Sequence, residues 1–159
     1  MNITDKDKEF MRKAIRLADD SVKNGGGPFG AVIVKDGEIV AGSSNSVTTD
    51  NDPTAHAEVN TIREACRRLH TFDLSDCVIY SSSEPCPMCL GAIYWARIGR
   101  IYYGNTRKDV GSVGFADDFI YEELDKKMEE RSLPIIPLLH DEALHTFQLW
   151  KEKEDKIEY

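Results

Sequence analysis

The sequence predicts an α/β protein in which a mixed β-sheet lies between helices, and three observations predict it. A segment of helical period opens the chain, an Asp-Gly pair then separates two apolar runs, and beyond it short apolar runs alternate with further helical segments. At 159 residues the chain has the size of one domain, expected to span 1–159 and to bury a core without staples. Its 41% hydrophobic and 30% charged residues are those of an ordinary globular protein, which excludes a disordered or fibrous class.

Taken in order, residues 5–24 place Phe10, Met11, Ala14, Ile15, Ala18 and Val22 at helical spacing with charges between them. This helix stops at Gly25-Gly26-Gly27-Pro28. Residues 31–35 and 38–42 are strands joined by Asp36-Gly37, because a type I′ turn needs positive φ at both central positions. Residues 43–54 are polar and read as a loop. A helix over 55–69 carries Val59, Ile62, Ala65, Cys66 and Leu69 on one face. Residues 77–80 form a short buried strand, and 86–96 a helix with Pro87 in the first turn, where a missing N–H costs nothing. A strand at 101–103, a helix at 115–131, an extended run at 135–139 and a helix at 141–154 complete the order α-β-β-α-β-α-β-α-β-α. No repeat or linker interrupts it.

Charge narrows the partners. The formal net charge is −8, and residues 115–159 hold six Lys/Arg against thirteen Asp/Glu. Nucleic-acid binding draws much of its affinity from basic surface that neutralises phosphates, so this balance points to a small uncharged substrate instead. No stretch resembles a signal peptide, and no apolar run approaches the roughly 18 residues of a membrane span. Four cysteines without an export signal argue for reduced thiols or a metal, and for the cytoplasm.

The chemistry gathers in two short stretches. His56-Ala57-Glu58 stands at the start of one helix, and Pro85-Cys86-Pro87-Met88-Cys89 at the start of another. Cys86 and Cys89, at i and i+3, share a face of a first turn, where the helix N-terminus favours thiolate. One histidine and two thiolates make three ligands and leave a fourth tetrahedral position for water, the arrangement of a catalytic zinc. Glu58 is then a carboxylate beside the metal, placed to take a proton from that water and pass it on. Its plainer role is that of an acidic residue stabilising the positive end of its helix. Cys66 and Cys77 read as core filler, and His70, His140 and His145 as packing or surface histidines.

His-x-Glu followed by Pro-Cys-x-x-Cys is the motif pair of the zinc deaminases, and the chain resembles the cytidine deaminase-like superfamily over residues 8–105. Within it the chain is similar to bacterial guanine deaminases, in Gly27-Pro28-Phe29-Gly30, Asn51-Asp52-Pro53-Thr54, Cys86-Pro87-Met88-Cys89, the distal Gly114-Phe115-Ala116-Asp117-Asp118 and the terminal Tyr159. The stretch 97–104 departs and reads more like the tRNA adenosine deaminases, which lack the acidic tail. The resemblance implies a three-layer α/β/α sandwich with a five-stranded mixed sheet, and one zinc ion per site held by His56, Cys86 and Cys89. It implies hydrolysis of guanine to xanthine and ammonia: activated water adds at C2 while Glu58 protonates N3, and Glu58 with Asp117 delivers protons to the amino group. Asn45, Phe29, Ala57 and Tyr159 would contact the base. A homodimer is implied, with residues 132–159 exchanged between subunits so that Tyr159 closes the partner's pocket.

Each substrate contact has a plainer reading beside it. Asn45 can satisfy turn backbone, Phe29 can be core, Asp117 and Asp118 can be solvated helix-start residues, and Tyr159 a frayed terminus. The alternative substrates are guanosine, cytosine, another nucleoside, or adenosine in tRNA. A zinc-stabilised interaction module without catalysis is the reading from another class, and it requires a fourth protein ligand.

Overall fold

The computed structural model describes residues 2–159 and divides into two compact units, one ending at Asp118 and the other Phe119–Tyr159. The first opens with α1 (Asp5–Lys23), capped by a reciprocal pair: Asp7 N–H donates to Thr4 Oγ1 at 3.1 Å, and Thr4 N–H to the Asp7 carboxylate at 2.7 Å. Strands β1 (Gly30–Lys35) and β2 (Glu38–Ser44) follow, and Asp36 and Gly37 between them adopt φ of 50° and 77°, as the type I′ turn demands.

The next elements are α2 (Val47–Asp50), α3 (Ala57–Leu69), β3 (Cys77–Ser83), α4 (Pro87–Trp95), β4 (Arg100–Asn105) and α5 (Arg107–Ser112). The sheet order is β2-β1-β3-β4, with β1 antiparallel to both neighbours and β4 parallel to β3. Strand alternation builds two cores. Ala31, Ile33 and Ile79 pack with Ala57, Ala65 and Ile93 of α3 and α4, whereas Val32, Val34 and Tyr80 pack with Ala14 of α1. Unit 1 is therefore a helix layer, a sheet and a second helix layer. Helix α1 lies so close to β1 that a Cβ on Gly30 would stand 2.3 Å from the Ala14 carbonyl oxygen.

The second unit holds most of α6 (Asp118–Asp125), a 3₁₀ turn at Met128–Glu130 and α7 (His140–Glu152). None of its described residues is buried, and Ile135, Ile136, Leu138, Phe147 and Trp150 are exposed.

Three expectations are corrected. The described sheet has four strands, not five: 135–139 forms no ladder, and Pro137 at its centre lacks the N–H a ladder needs. The helix expected over 115–131 is only α6, because the chain folds back at Ser132, whose N–H donates to the Glu123 carboxylate at 2.7 Å. The loop 43–54 contains α2, and α5 was not foreseen although Thr106 and Asp109 form its capping box. Among the described residues no helix is long and apolar enough to cross a membrane.

Candidate metal centre and active site

Two helix starts meet at the layer of α3 and α4. His56 is the N-cap of α3 and Cys86 the N-cap of α4, both with extended backbone, so each side chain projects past the first turn of its helix. Strand β3 ends at Ser83, and only Glu84 and Pro85 separate it from Cys86. Pro87 at the first helical position presets the turn that stacks Cys89 beside Cys86.

His56 Nδ1 lies 3.5 Å from Cys86 Sγ and 3.5 Å from Cys89 Sγ. A tetrahedral zinc with ordinary Zn–N and Zn–S bonds sets N and S about 3.6 Å apart, so these donors are spaced for one. Their ligand atoms all fall within 4.8 Å of one another. The electrostatics agree with a cation site. The hydrogen bond from Cys89 brings the Cys86 thiol well below its usual range, and His56 pulls the same way. The Cys89 thiol is pushed up, first by Cys86 and then by burial. The Cys86 sulfur in turn raises the His56 pKa. A divalent cation bound between the three would complete their deprotonation. No fourth Cys, His or acidic donor joins the cluster among the described residues. The interaction-module reading, which needs a closed ligand set, loses its support.

Glu58 is only 5% exposed, in the first turn of α3. Burial holds its carboxyl above the usual range, while its own backbone N–H, Ser81 and Cys89 pull it back. Ser81 Oγ donates to Glu58 Oε1 at 2.8 Å. Ser81 escaped the sequence reading. Its signal was a serine continuing an apolar strand to full burial, a position where a hydroxyl needs a partner.

The other expected residues fall as follows. Asn45 N–H donates to the Phe29 carbonyl at 3.1 Å, and Asn45 Oδ1 accepts from Val47 N–H at 3.1 Å. The turn role is thus real, and it orients the amide with its NH2 left to donate. Phe29 meets Phe115 edge to face at 5.1 Å, and the two rings line one cleft with Gly27, Ser83 and Asn105. Asp117, two residues beyond Phe115, has its carboxyl raised by burial and feels the Cys86 sulfur. The Ala57 side chain is core and its carbonyl accepts from Thr61 Oγ1 at 2.6 Å, so only its backbone N–H remains for a ligand. Tyr159 belongs to the second unit, where it is exposed.

Comparison with known proteins agrees with this geometry. Residues 4–105 match the family model for the cytidine and deoxycytidylate deaminase zinc-binding region. The chain is 53% identical over 151 residues to guanine deaminase of Bacillus subtilis (strain 168), covering 94% of this chain and 97% of that one. The X-ray structure of guanine deaminase from Bacillus subtilis superposes with a TM-score of 0.93 at 51% identity, covering 100% of this chain and 99% of that one. A tRNA-specific adenosine deaminase of Haemophilus influenzae is 33% identical over 157 residues, 96% of this chain and 88% of that one. That alignment also runs through the tail, so identity, and not the tail alone, separates the two likenesses.

Proposed function

The chain belongs to the cytidine and deoxycytidylate deaminase zinc-binding family, and from that premise we propose that it hydrolyses guanine to xanthine and ammonia. The observation that carries the chemistry is the buried Glu58 standing beside, and outside, the His56–Cys86–Cys89 cluster. The 53% identity to a guanine deaminase over 94% of the chain carries the substrate.

His56, Cys86 and Cys89 would hold one zinc ion, whose chemistry is to lower the pKa of a bound water towards about 7. Glu58 takes the proton released from water and gives it to N3 of the ring, which makes C2 electrophilic as oxygen adds there. Asp117 contacts the 2-amino group and helps deliver the proton with which it leaves as ammonia. Asn45 donates its amide NH2 to the purine edge, the Ala57 N–H offers a second donor, and Phe29 flanks the ring. Water and guanine are consumed, xanthine and ammonia released, and no redox partner is needed.

The same reading makes the protein a cytoplasmic enzyme of purine metabolism and a homodimer that exchanges residues 132–159, with Tyr159 closing the partner's pocket. It is supported by the second unit itself, a segment with large apolar side chains exposed and no buried residue of its own. Ammonia release from zinc-replete protein given guanine, guanosine, cytosine or adenosine tests the function. Xanthine from guanine alone is expected, and turnover of another substrate with guanine untouched would overturn the assignment.

A further inference from the structure

We propose that Ser81 is a positioning residue for Glu58. Its hydroxyl holds Oε1 and so fixes the plane in which the carboxylate that carries protons through the reaction lies. This rests on the reading of Glu58 as the proton carrier.

A free carboxylate rotates about its last torsion between two nearly equivalent orientations. A carboxylate free to turn would spend part of its time in a plane from which a proton reaches neither water nor ring. Glu58 is held against this at both ends. Thr61 Oγ1 donates to the Ala57 carbonyl at 2.6 Å and to the Ala31 carbonyl at 3.3 Å, tying the first turn of α3 to β1. Ser81 Oγ then fixes the carboxylate itself at 2.8 Å.

Ser81 is well placed to hold it. It lies on central strand β3, paired with Ala31 of β1 on one side and Tyr103 of β4 on the other, so its register cannot drift. It is 2% exposed and shares a sheet face with Ile79, which packs in the same core as Ala57. The neighbouring serines have other duties. Ser82 Oγ accepts from Gly30 N–H at 3.0 Å, and Ser83 Oγ accepts from Asn105 Nδ2 at 3.5 Å. Of the three serines, Ser81 alone meets the carboxylate.

Ser81→Thr and Ser81→Val have the same shape and differ in the hydroxyl. The Thr variant should keep kcat near that of the parent. The Val variant should lose about tenfold in kcat, the loss expected of one hydrogen bond to a charged group, with KM, zinc content and Tm matching the Thr variant. In a crystal structure of Ser81→Ala, Glu58 should turn away or occupy two conformers. Equal kcat for Thr and Val, or an unmoved Glu58 in Ser81→Ala, would overturn the proposal. If the added methyl unfolds both variants, kcat at unchanged KM in Ser81→Ala replaces that pair. If the parent protein leaves guanine untouched, the functional reading fails by itself, and the Glu58 conformer in Ser81→Ala still decides the role of Ser81.

Discussion

Asp117 and Asp118 are adjacent in sequence and opposite in circumstance. Asp118 Oδ1 pairs with Arg107 Nε at 2.9 Å on the surface, whereas Asp117 Oδ1 is buried with no hydrogen-bond partner among the described residues. A buried carboxylate oxygen left unpaired is costly, and it is tolerated where a ligand will supply the partner. The amino group of a bound purine is such a partner. Asp117→Asn should therefore lower kcat with guanine by about 10² or more, and Asp118→Asn should leave it within about twofold, since exposed ion pairs contribute little. Steady-state ammonia release compares the two.

Glu58→Gln should keep one zinc per chain and lose about 10²–10⁴ in kcat, the usual worth of a general acid–base group. Cys89→Ala should lose the metal itself, since two ligands do not hold a tetrahedral site. Elemental analysis beside activity separates the outcomes. Zinc retained in Cys89→Ala would reject that ligand, and a fully active Glu58→Gln would reject the proton carrier.

Gly30→Ala should destabilise the fold by about 1–3 kcal/mol, as overpacking does, because the added carbon meets the α1 backbone at Ala14 and Ala18. Urea unfolding followed by circular dichroism reads this. An unchanged midpoint would mean that α1 is free to move away from β1.

Stability should fall in acid partly through Asp7. Hydrogen bonds from the Thr4 and Tyr80 side chains hold its carboxyl below the usual value of 3.8. A depressed folded pKa gives stability that is present above the unfolded value and lost as pH drops through the folded one. Asp7→Asn should thus cost stability at neutral pH, and the gap to the parent should close below about pH 4. Thermal melts at pH 7 and pH 3 test the sign.

In solution the protein should run at twice its 17.9 kDa chain mass. Light scattering at micromolar concentration measures this, and a monomer retaining full activity would end the exchanged-segment reading. Deleting Tyr159 should lower kcat/KM for guanine while leaving the zinc content unchanged.

What could be read directly from the residues was whatever chemistry ties to residue type and short spacing. Asp36-Gly37 specifies its turn, because few other pairs accept that backbone. His56, Cys86 and Cys89 announce a metal, because imidazole and paired thiols at a helix start suit little else so well. Glu58 follows from its place two residues beyond His56. Local pattern also predicted β1, β2, α3 and α4 close to where they lie. It misjudged 135–139, where an apolar run looked like a strand but whether any run joins a sheet depends on a partner elsewhere.

Other features waited for the tertiary structure because they depend on distance between residues far apart in the chain. The register of β3 against β1 and β4 brings Ser81 under Glu58, across 23 positions of sequence. Burial distinguishes Asp117 from Asp118, two identical letters side by side. The 3.5 Å approach of His56 to both sulfurs depends on α3 and α4 packing on one face of the same sheet. Sequence by itself determined which atoms were available for catalysis. Folding decided which of them face one another, because position in space and loss of water are properties of the packed chain and not of any single stretch of it.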